Sequence, residues 1–232
     1  GNEIRQNRIF GNSGRAINLD DPKSVYAFHL SDVGQDSFGR FDGDLGANEL
    51  QNPAVVTNVS FLLATKTITW SLHSAPGSYL VDVFAAPDED ENGSFIYPHA
   101  SGFGDAVTFL ETAVVDVLPS GVGTLTRTFF DVPEQGYISV TVTDSSGNTS
   151  EPSMVDTDGD AIADAWEISG VDVNDDGRID LKFRGITKRG KQYFADPFHK
   201  DIFVEVDALA GFAPTQKTLD LVAYGRKDDL GN

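Results

Sequence analysis

The sequence predicts a mainly β protein built around an antiparallel β-sandwich. Between residues 53 and 150 it contains six short runs rich in Val, Thr, Phe and Tyr, separated by Gly, Pro, Asn and Asp. Some runs alternate apolar and polar residues, as Ile68, Trp70 and Leu72 do with their neighbours, and a period of two is typical of a half-buried strand. The 232 residues are 40% hydrophobic, which suffices for one large domain or two small ones.

The charge balance restricts the partners of the chain. It carries 36 acidic and 17 basic residues, a formal net charge of −19. Such a chain repels nucleic acid and anionic membranes, whereas metal cations are its natural partners. A solvated acidic surface, as in salt-adapted proteins, is the alternative explanation for the acids outside the two loops described below.

Cysteine is absent, which excludes disulfides, thiol nucleophiles and cysteine-ligated zinc. A secreted domain without disulfides needs another stabilising device, and bound calcium is the obvious one. No apolar run is long enough to span a bilayer. The first residues, Gly1-Asn2-Glu3, do not resemble a signal peptide, so we expect a mature or excised piece of a longer product.

The first 20 residues show a regular spacing: Asn2, Asn7 and Asn12 recur every five positions, and Ile4 and Ile9 do the same. This pattern resembles one or two rungs of a right-handed parallel β-helix, in which Asn side chains stack at turns and Ile side chains fill the interior. The resemblance implies that further rungs, or another subunit, stack on the segment. A single edge strand with a turn is the alternative.

Residues 21–52 are rich in Asp, Gly and Asn and are expected to form a long connector. Asp36, Asp42 and Asp44 lie there among glycines and fit either a cation site or a solvated loop. Residues 53–151 follow, and the spacing of their strands favours a sandwich of immunoglobulin-like type. Residues 87–106 interrupt this pattern and predict a long surface loop, in which Phe95, Tyr97 and Phe103 are candidates for stacking on a glycan.

The sandwich resembles the domain that follows β-helix repeats in many bacterial surface proteins. The resemblance is carried by Leu50-Gln51-Asn52-Pro53 and, most specifically, by the sequence TVTDSSGNTSE at residues 141–151. Such modules are usually spacers or adhesive units, so the resemblance implies a structural role.

Residues 152–200 contain two acidic loops, the first of which reads DTDGDAIADAWE at residues 156–167. Its acids fall at positions 1, 3, 5, 9 and 12, the spacing of an EF-hand-like calcium loop, and position 7 offers a backbone carbonyl. Position 6 normally holds Gly for a sharp turn but here holds Ala161. The predicted ligands are Asp156, Asp158, Asp160, Ile162, Asp164 and Glu167.

The second loop begins DVNDDGRID at residue 172 and has Gly177 at position 6, as the turn requires. Position 12 is Phe183, which cannot bind, so we expect the missing carboxylate from Glu167, Glu205 or Asp207. Without cations the acids in these loops would repel one another. An acidic disordered linker is the alternative, and the position of Gly177 argues against it. The predicted ligands are Asp172, Asn174, Asp176, Arg178 through its backbone, and Asp180.

The two loops also resemble thrombospondin type 3 and dockerin-like calcium repeats, and a connector seen before secreted metallopeptidase-like domains. Residues 201–232 would then be the start of a further domain: a strand at 201–207, which alternates sharply, and a helix from Pro214 to about Tyr224. A zinc peptidase would need a helical H-E-x-x-H, which this sequence lacks, and it also lacks a G-x-S-x-G elbow and a P-loop.

The sequence therefore predicts a non-catalytic, calcium-stabilised structural or adhesive segment at the cell surface or outside the cell. The expected partners are other subunits or neighbouring domains, joined through β-strand or rung stacking, and a glycan. Neither nucleic acid nor membrane insertion is expected. Two alternatives stay open: the ancillary region of a secreted metallopeptidase or carbohydrate-active enzyme, and a carbohydrate-binding module.

Overall fold

In a computed structural model, the chain forms two compact units, Gly1–Asp201 and Ile202–Asn232. In the second unit only residues 202, 214 and 215 are described, so the predicted strand at 201–207 and helix from Pro214 lie almost wholly outside the described residues. The structure describes residues 1–11, 16–19, 48, 51–62, 65–86, 102–130, 136–171, 178–183, 186–188, 191–193, 195–202 and 214–215.

Six strands form two antiparallel three-stranded sheets, and each strand coincides with one of the six predicted runs. The mainly β prediction is thereby confirmed. The first sheet has the order β1-β2-β5, with strands Val55–Leu62, Thr65–His73 and Val122–Phe130. The second has the order β4-β3-β6, with strands Thr108–Val117, Gly77–Ala86 and Tyr137–Thr143.

One hydrophobic core joins the two sheets. Ile68, Trp70 and Leu72 point inward from β2, as their alternation predicts, and Trp70 is only 1% exposed. Val81 and Val83 of β3 belong to the same cluster. Burial of these side chains is the main stabilising contribution to the sandwich.

The segment after β6 folds back along that strand and covers its edge. Ser150 N donates to Val142 O at 2.8 Å, and Ser153 N donates to Val140 O at 2.7 Å. The hydroxyls of the same serines accept hydrogen bonds from the N–H groups of Val142 and Val140. This pairing satisfies the strand edge and leads the chain directly to the first acidic loop.

The N-terminal segment lies against the second sheet. Ile9 and Ala106 exchange backbone hydrogen bonds of 2.7 and 3.0 Å, and the Arg5 guanidinium donates to buried Asp82 at 3.0 Å. That hydrogen bond raises the pKa of Arg5. The partly buried Ile4 and Ile9 pack against Ile17 and Leu19, so the isoleucines of the segment share one apolar cluster; the β-helix rung itself stays a prediction.

The rest of the first unit contains one short helix and one hairpin among the described residues. Helix α1 spans Asp164–Ser169, and β7 (Ile186–Lys188) pairs with β8 (Lys191–Tyr193). The hairpin was not predicted. Within the described part of the chain no helix is long and apolar enough to cross a membrane.

The prediction that Phe103 is an exposed glycan-stacking residue is wrong. Its side chain is only 4% exposed, and Phe103 forms an antiparallel bridge with Met154. Residues 102–106 have returned to the sandwich, since Gly104 N donates to Ser153 O at 3.1 Å. Phe95 and Tyr97 lie outside the described residues.

Candidate metal centre

The first acidic loop begins directly after Val155 and returns to it at Asp164, and Val155 itself is fixed on the sandwich. Val155 N donates to Gly102 O, and Val155 O accepts from Asp164 N, both at 3.0 Å. The Val155 side chain is buried with Ala86, Val107 and Tyr137. Residues 156–163 therefore form a closed excursion from the sandwich surface, which places their side chains in a defined position.

Asp156 organises the turn of the loop. Its Oδ1 accepts hydrogen bonds from the backbone N–H groups of Gly159 at 2.6 Å and Asp160 at 3.3 Å, and its Oδ2 accepts from Ala161 N at 2.9 Å. The carboxylate is buried. Burial raises the pKa of Asp156, and the backbone hydrogen bonds oppose that shift. The first predicted ligand is thus held in place by the loop itself.

Asp158 and Asp160 bring further carboxylates to the same point. One oxygen from each of Asp156, Asp158 and Asp160 lies within 4.8 Å of the other two. Asp158 Oδ1 accepts from Asp160 N at 3.1 Å, but its Oδ2 is buried without a hydrogen-bond partner. Burial, followed by the charges of Asp160 and Asp156, raises the pKa of Asp158 to about 6.

Glu167 approaches this cluster from helix α1. It is 7% exposed, and its Oε1 is buried without a hydrogen-bond partner. Burial, and then the negative charges of Asp160 and Asp158, raise the pKa of Glu167 to about 9. A buried, charged carboxylate beside other carboxylates is unfavourable unless it takes up a proton or a cation joins it.

Asp164 is placed differently from the other predicted ligands. Its Oδ1 accepts from Thr157 N and its Oδ2 accepts from the Thr157 hydroxyl, both at 2.7 Å. Burial raises the pKa of Asp164, while the Thr157 hydrogen bonds and the charge of Lys66 oppose the shift. Asp164 thus closes the loop onto Thr157.

Lys66 is a buried cation of the sandwich beside the loop. It is 5% exposed, and its Nζ lies 5.3 Å from the centre of the Phe61 ring. Burial lowers the pKa of Lys66, and the charges of Asp164 and Asp156 act in the opposite direction. One cation next to several buried carboxylates leaves a local excess of negative charge.

Two residues of the loop adopt left-handed backbone conformations. Gly159 has φ +77°, and a Cβ there would lie 2.8 Å from Val59 N, so this position requires Gly. Ala161 has φ +76°, which is strained for a residue with a Cβ. The turn at position 6 therefore forms even though the sequence supplies Ala161 there instead of Gly.

The second acidic loop is described only at its ends. Val171 and Leu181 form an antiparallel bridge with hydrogen bonds of 2.7 and 3.0 Å, which brings the two ends of the loop together. Arg178 and Asp180 are exposed, and Asp180 N donates to Val171 O at 2.9 Å. The remaining predicted ligands of this loop, Asp172, Asn174 and Asp176, lie outside the described residues.

Sequence reasoning did not identify several groups that surround the first loop. Asp201 N donates to Asp160 Oδ2 at 2.6 Å, and Lys200 Nζ donates to Gly159 O at 2.9 Å. Lys66 was also missed. These contacts join residues far apart in the sequence, and no local spacing indicates them. Thr157 was missed as well, although it lies only seven positions from its partner Asp164.

The carboxylates of Asp156, Asp158 and Asp160 form an oxygen-rich cluster suited to a hard divalent cation, and the charges of Asp160 and Asp158 act on the buried Glu167 carboxylate. No protein-family model matches the sequence, and no curated protein compared with it matches either.

Proposed function

We propose that the loop of residues 156–167 binds one calcium ion. Calcium takes six to eight oxygen ligands at about 2.3–2.6 Å and tolerates irregular geometry, which suits a loop rich in carboxylates. In this proposal Asp164 is a structural residue, because its carboxylate binds the N–H and the hydroxyl of Thr157 and it is not one of the three acids whose oxygens cluster. The proposed ligands are the carboxylates of Asp156, Asp158, Asp160 and Glu167 and the carbonyl oxygen of Ile162.

The observation that carries the proposal is the pair of buried oxygens without partners, Asp158 Oδ2 and Glu167 Oε1. Buried polar atoms in folded proteins almost always have a partner, and a buried carboxylate oxygen without one is costly. The oxygens belong to residues at positions 3 and 12 of the loop, where an EF-hand-like calcium loop has side-chain ligands. The strain at Ala161 also favours a functional origin for the turn.

The proposed role of the ion is to stabilise an extracellular or cell-surface segment that is structural or adhesive and not catalytic. The loop leaves the sandwich after Val155 and is joined back to Val155 through Asp164 N, so an ion bound in the loop stabilises the sandwich itself. Calcium would thus act in place of disulfides in a chain without cysteine. We further propose that the sandwich is of immunoglobulin-like type and that the N-terminal segment is a β-helix-like rung that stacks on a neighbouring subunit or domain.

A thermal melt with millimolar calcium, and another with excess chelator, tests the calcium site. At about 1,000 times its dissociation constant, a ligand stabilises the folded state by about 4 kcal/mol. In a unit of this size, each kcal/mol of stabilisation raises the melting temperature by about 2–4 °C, so we expect calcium to raise it by about 8–16 °C. Magnesium at the same concentration should have a smaller effect, because it demands regular octahedral geometry. Identical melts with calcium and chelator would refute the proposal.

A further inference from the structure

A compact turn at residues 196–201 lies beside the proposed calcium loop. His199 N donates to Asp196 O at 2.9 Å, and Phe198 N donates to Asp196 Oδ1 at 3.1 Å. Asp196 N in turn donates to Asp201 Oδ2 at 3.0 Å. The turn is thus closed by its own hydrogen bonds, and these bonds fix one oxygen of the Asp201 carboxylate.

Two hydrogen bonds hold this turn on the loop. Asp201 N donates to Asp160 Oδ2 at 2.6 Å, and Lys200 Nζ donates to Gly159 O at 2.9 Å. Asp160 and Asp201 are 41 positions apart in the sequence. The carboxylate of a proposed calcium ligand therefore already contacts the backbone of a distant segment.

The backbone contact with Asp160 places Asp201 beside the proposed site. The negative charge of Asp201 is among those that act on the buried Glu167 carboxylate, after the charges of Asp160, Asp158 and Asp164. Its Oδ1 lies 3.9 Å from Nδ1 of His199, whose side chain is 80% exposed, so this contact is weak. A fifth carboxylate beside four others adds repulsion, unless a cation of sufficient charge lies between them.

The ligand count also leaves room for Asp201. The five residues proposed above provide five oxygens, or six if Glu167 binds through both of its oxygens, and calcium accepts six to eight. Position 9 of the loop, which often supplies a further ligand directly or through water, is Asp164 here, and its oxygens accept hydrogen bonds from Thr157.

We infer that Asp201 supplies an additional ligand to this calcium ion from outside the loop, so that the ion ties the 196–201 turn to residues 156–167. The inference rests on the proposed calcium site. The ion then closes the intervening segment of the first unit, which includes the Val171–Leu181 bridge and the β7–β8 hairpin. In a chain without cysteine, this closure restricts the segment as a cross-link would.

The test compares the intact chain with its Asp201→Asn variant. Asn keeps the backbone N–H that binds Asp160 and an oxygen that can accept from Asp196 N, but it removes the charge and weakens the ligand. We expect calcium affinity, measured by isothermal titration calorimetry, to fall at least ~10-fold. Asp201→Glu, which retains the carboxylate, should recover part of the affinity. Asp116→Asn is the matched control, since Asp116 is an exposed acid on β4.

Limited trypsin digestion measures the closure directly, because the intervening segment contains cleavage sites at Arg178, Lys182, Arg184, Lys188, Arg189 and Lys191. Each protein is digested at a calcium concentration that saturates it. Calcium should slow cleavage at these sites in the wild type and in Asp116→Asn, and much less in Asp201→Asn. Melts in chelator establish that each variant is folded.

The outcomes separate the two proposals. If calcium stabilises the wild type and Asp201→Asn keeps both its affinity and its protection from trypsin, the role of Asp201 is refuted and the calcium site stands. If calcium neither binds nor stabilises the wild type, the site is refuted, and the role of Asp201 falls with it.

Discussion

Replacing Glu167 by Gln should stabilise the calcium-free protein and destabilise the calcium-bound protein. Without calcium, the pKa of Glu167 is about 9 in the folded state, against an ordinary value of 4.5. Because the folded pKa is raised, the folded state holds its proton more tightly, and stability falls as pH rises from about 4.5 towards 9. Gln has almost the same shape as a protonated Glu and carries no such pH dependence.

The size of the effect at pH 7 follows from this shift. The unfolded chain carries Glu167 ionised and the folded chain carries it protonated, so each pH unit above 4.5 costs about 1.4 kcal/mol, or about 3 kcal/mol by pH 7. Glu167→Gln should therefore raise the melting temperature of the chelated protein by up to about 6–12 °C. With calcium the order should reverse, because Gln offers only one neutral oxygen where Glu offers a charged, two-oxygen ligand.

Calorimetric melts of both proteins at about pH 5, 7 and 9, with calcium and with chelator, provide the assay. In chelator the difference between the proteins should be small at the lowest pH and grow as pH rises. Glu3→Gln, at a side chain that is 59% exposed, is the matched control and should show no reversal. Equal destabilisation by Glu167→Gln with calcium and with chelator, at every pH, would mean that Glu167 is a structural hydrogen-bonding residue, which would refute the reasoning.

Three further predictions test the turn, the protonation of the site and the core. In urea unfolding, Ala161→Gly should stabilise the protein by about 1 kcal/mol, because the residue has φ +76°. Gly159→Ala should destabilise it by more than about 1 kcal/mol, because the added Cβ would meet Val59 N. Equal effects of the two substitutions would contradict the left-handed backbone conformations of these residues. Calcium binding near pH 7 should release about one proton from Glu167. The release is measured as a dependence of the calorimetric binding enthalpy on the ionisation enthalpy of the buffer. An enthalpy that is the same in every buffer would contradict the raised pKa of Glu167. Trp70→Ala should cost about 3–5 kcal/mol with and without calcium, because Trp70 is 1% exposed in the core; a smaller loss in urea unfolding would count against this packing.

The strands of the sandwich could be predicted from the sequence because their pattern is local. Residues 65–73 alternate inward and outward side chains, and that alternation alone places Ile68 and Trp70 in the core. The hairpin at residues 186–193 was missed because its two strands have only three residues each, too few to show a period of two. The burial of Phe103 was missed because it depends on a tertiary pairing with Met154.

The acidic loop shows the same division between local and tertiary information. The spacing of its acids drew attention to Asp156, Asp158 and Asp160, and the structure brings their oxygens together. Spacing alone could not show that Asp164 binds Thr157, since a carboxylate at position 9 can face either the ion or the backbone of its own loop. Asp201 was not considered because it lies 41 positions from Asp160 in the sequence.

The position of the loop on the sandwich explains why its charged carboxylates contribute an unfavourable free energy to folding. A solvated acidic loop would keep its carboxylates in water, with pKa values near their ordinary range. Here burial is the first cause of the raised pKa values of Asp158 and Glu167, so the fold moves these groups away from water before any cation is considered. The closure of the loop at Val155 prevents the carboxylates from simply moving apart. An arrangement that concentrates carboxylates in this way is favourable only when a cation binds or a carboxylate takes up a proton, so the stability of the unit should depend on both the cation and pH.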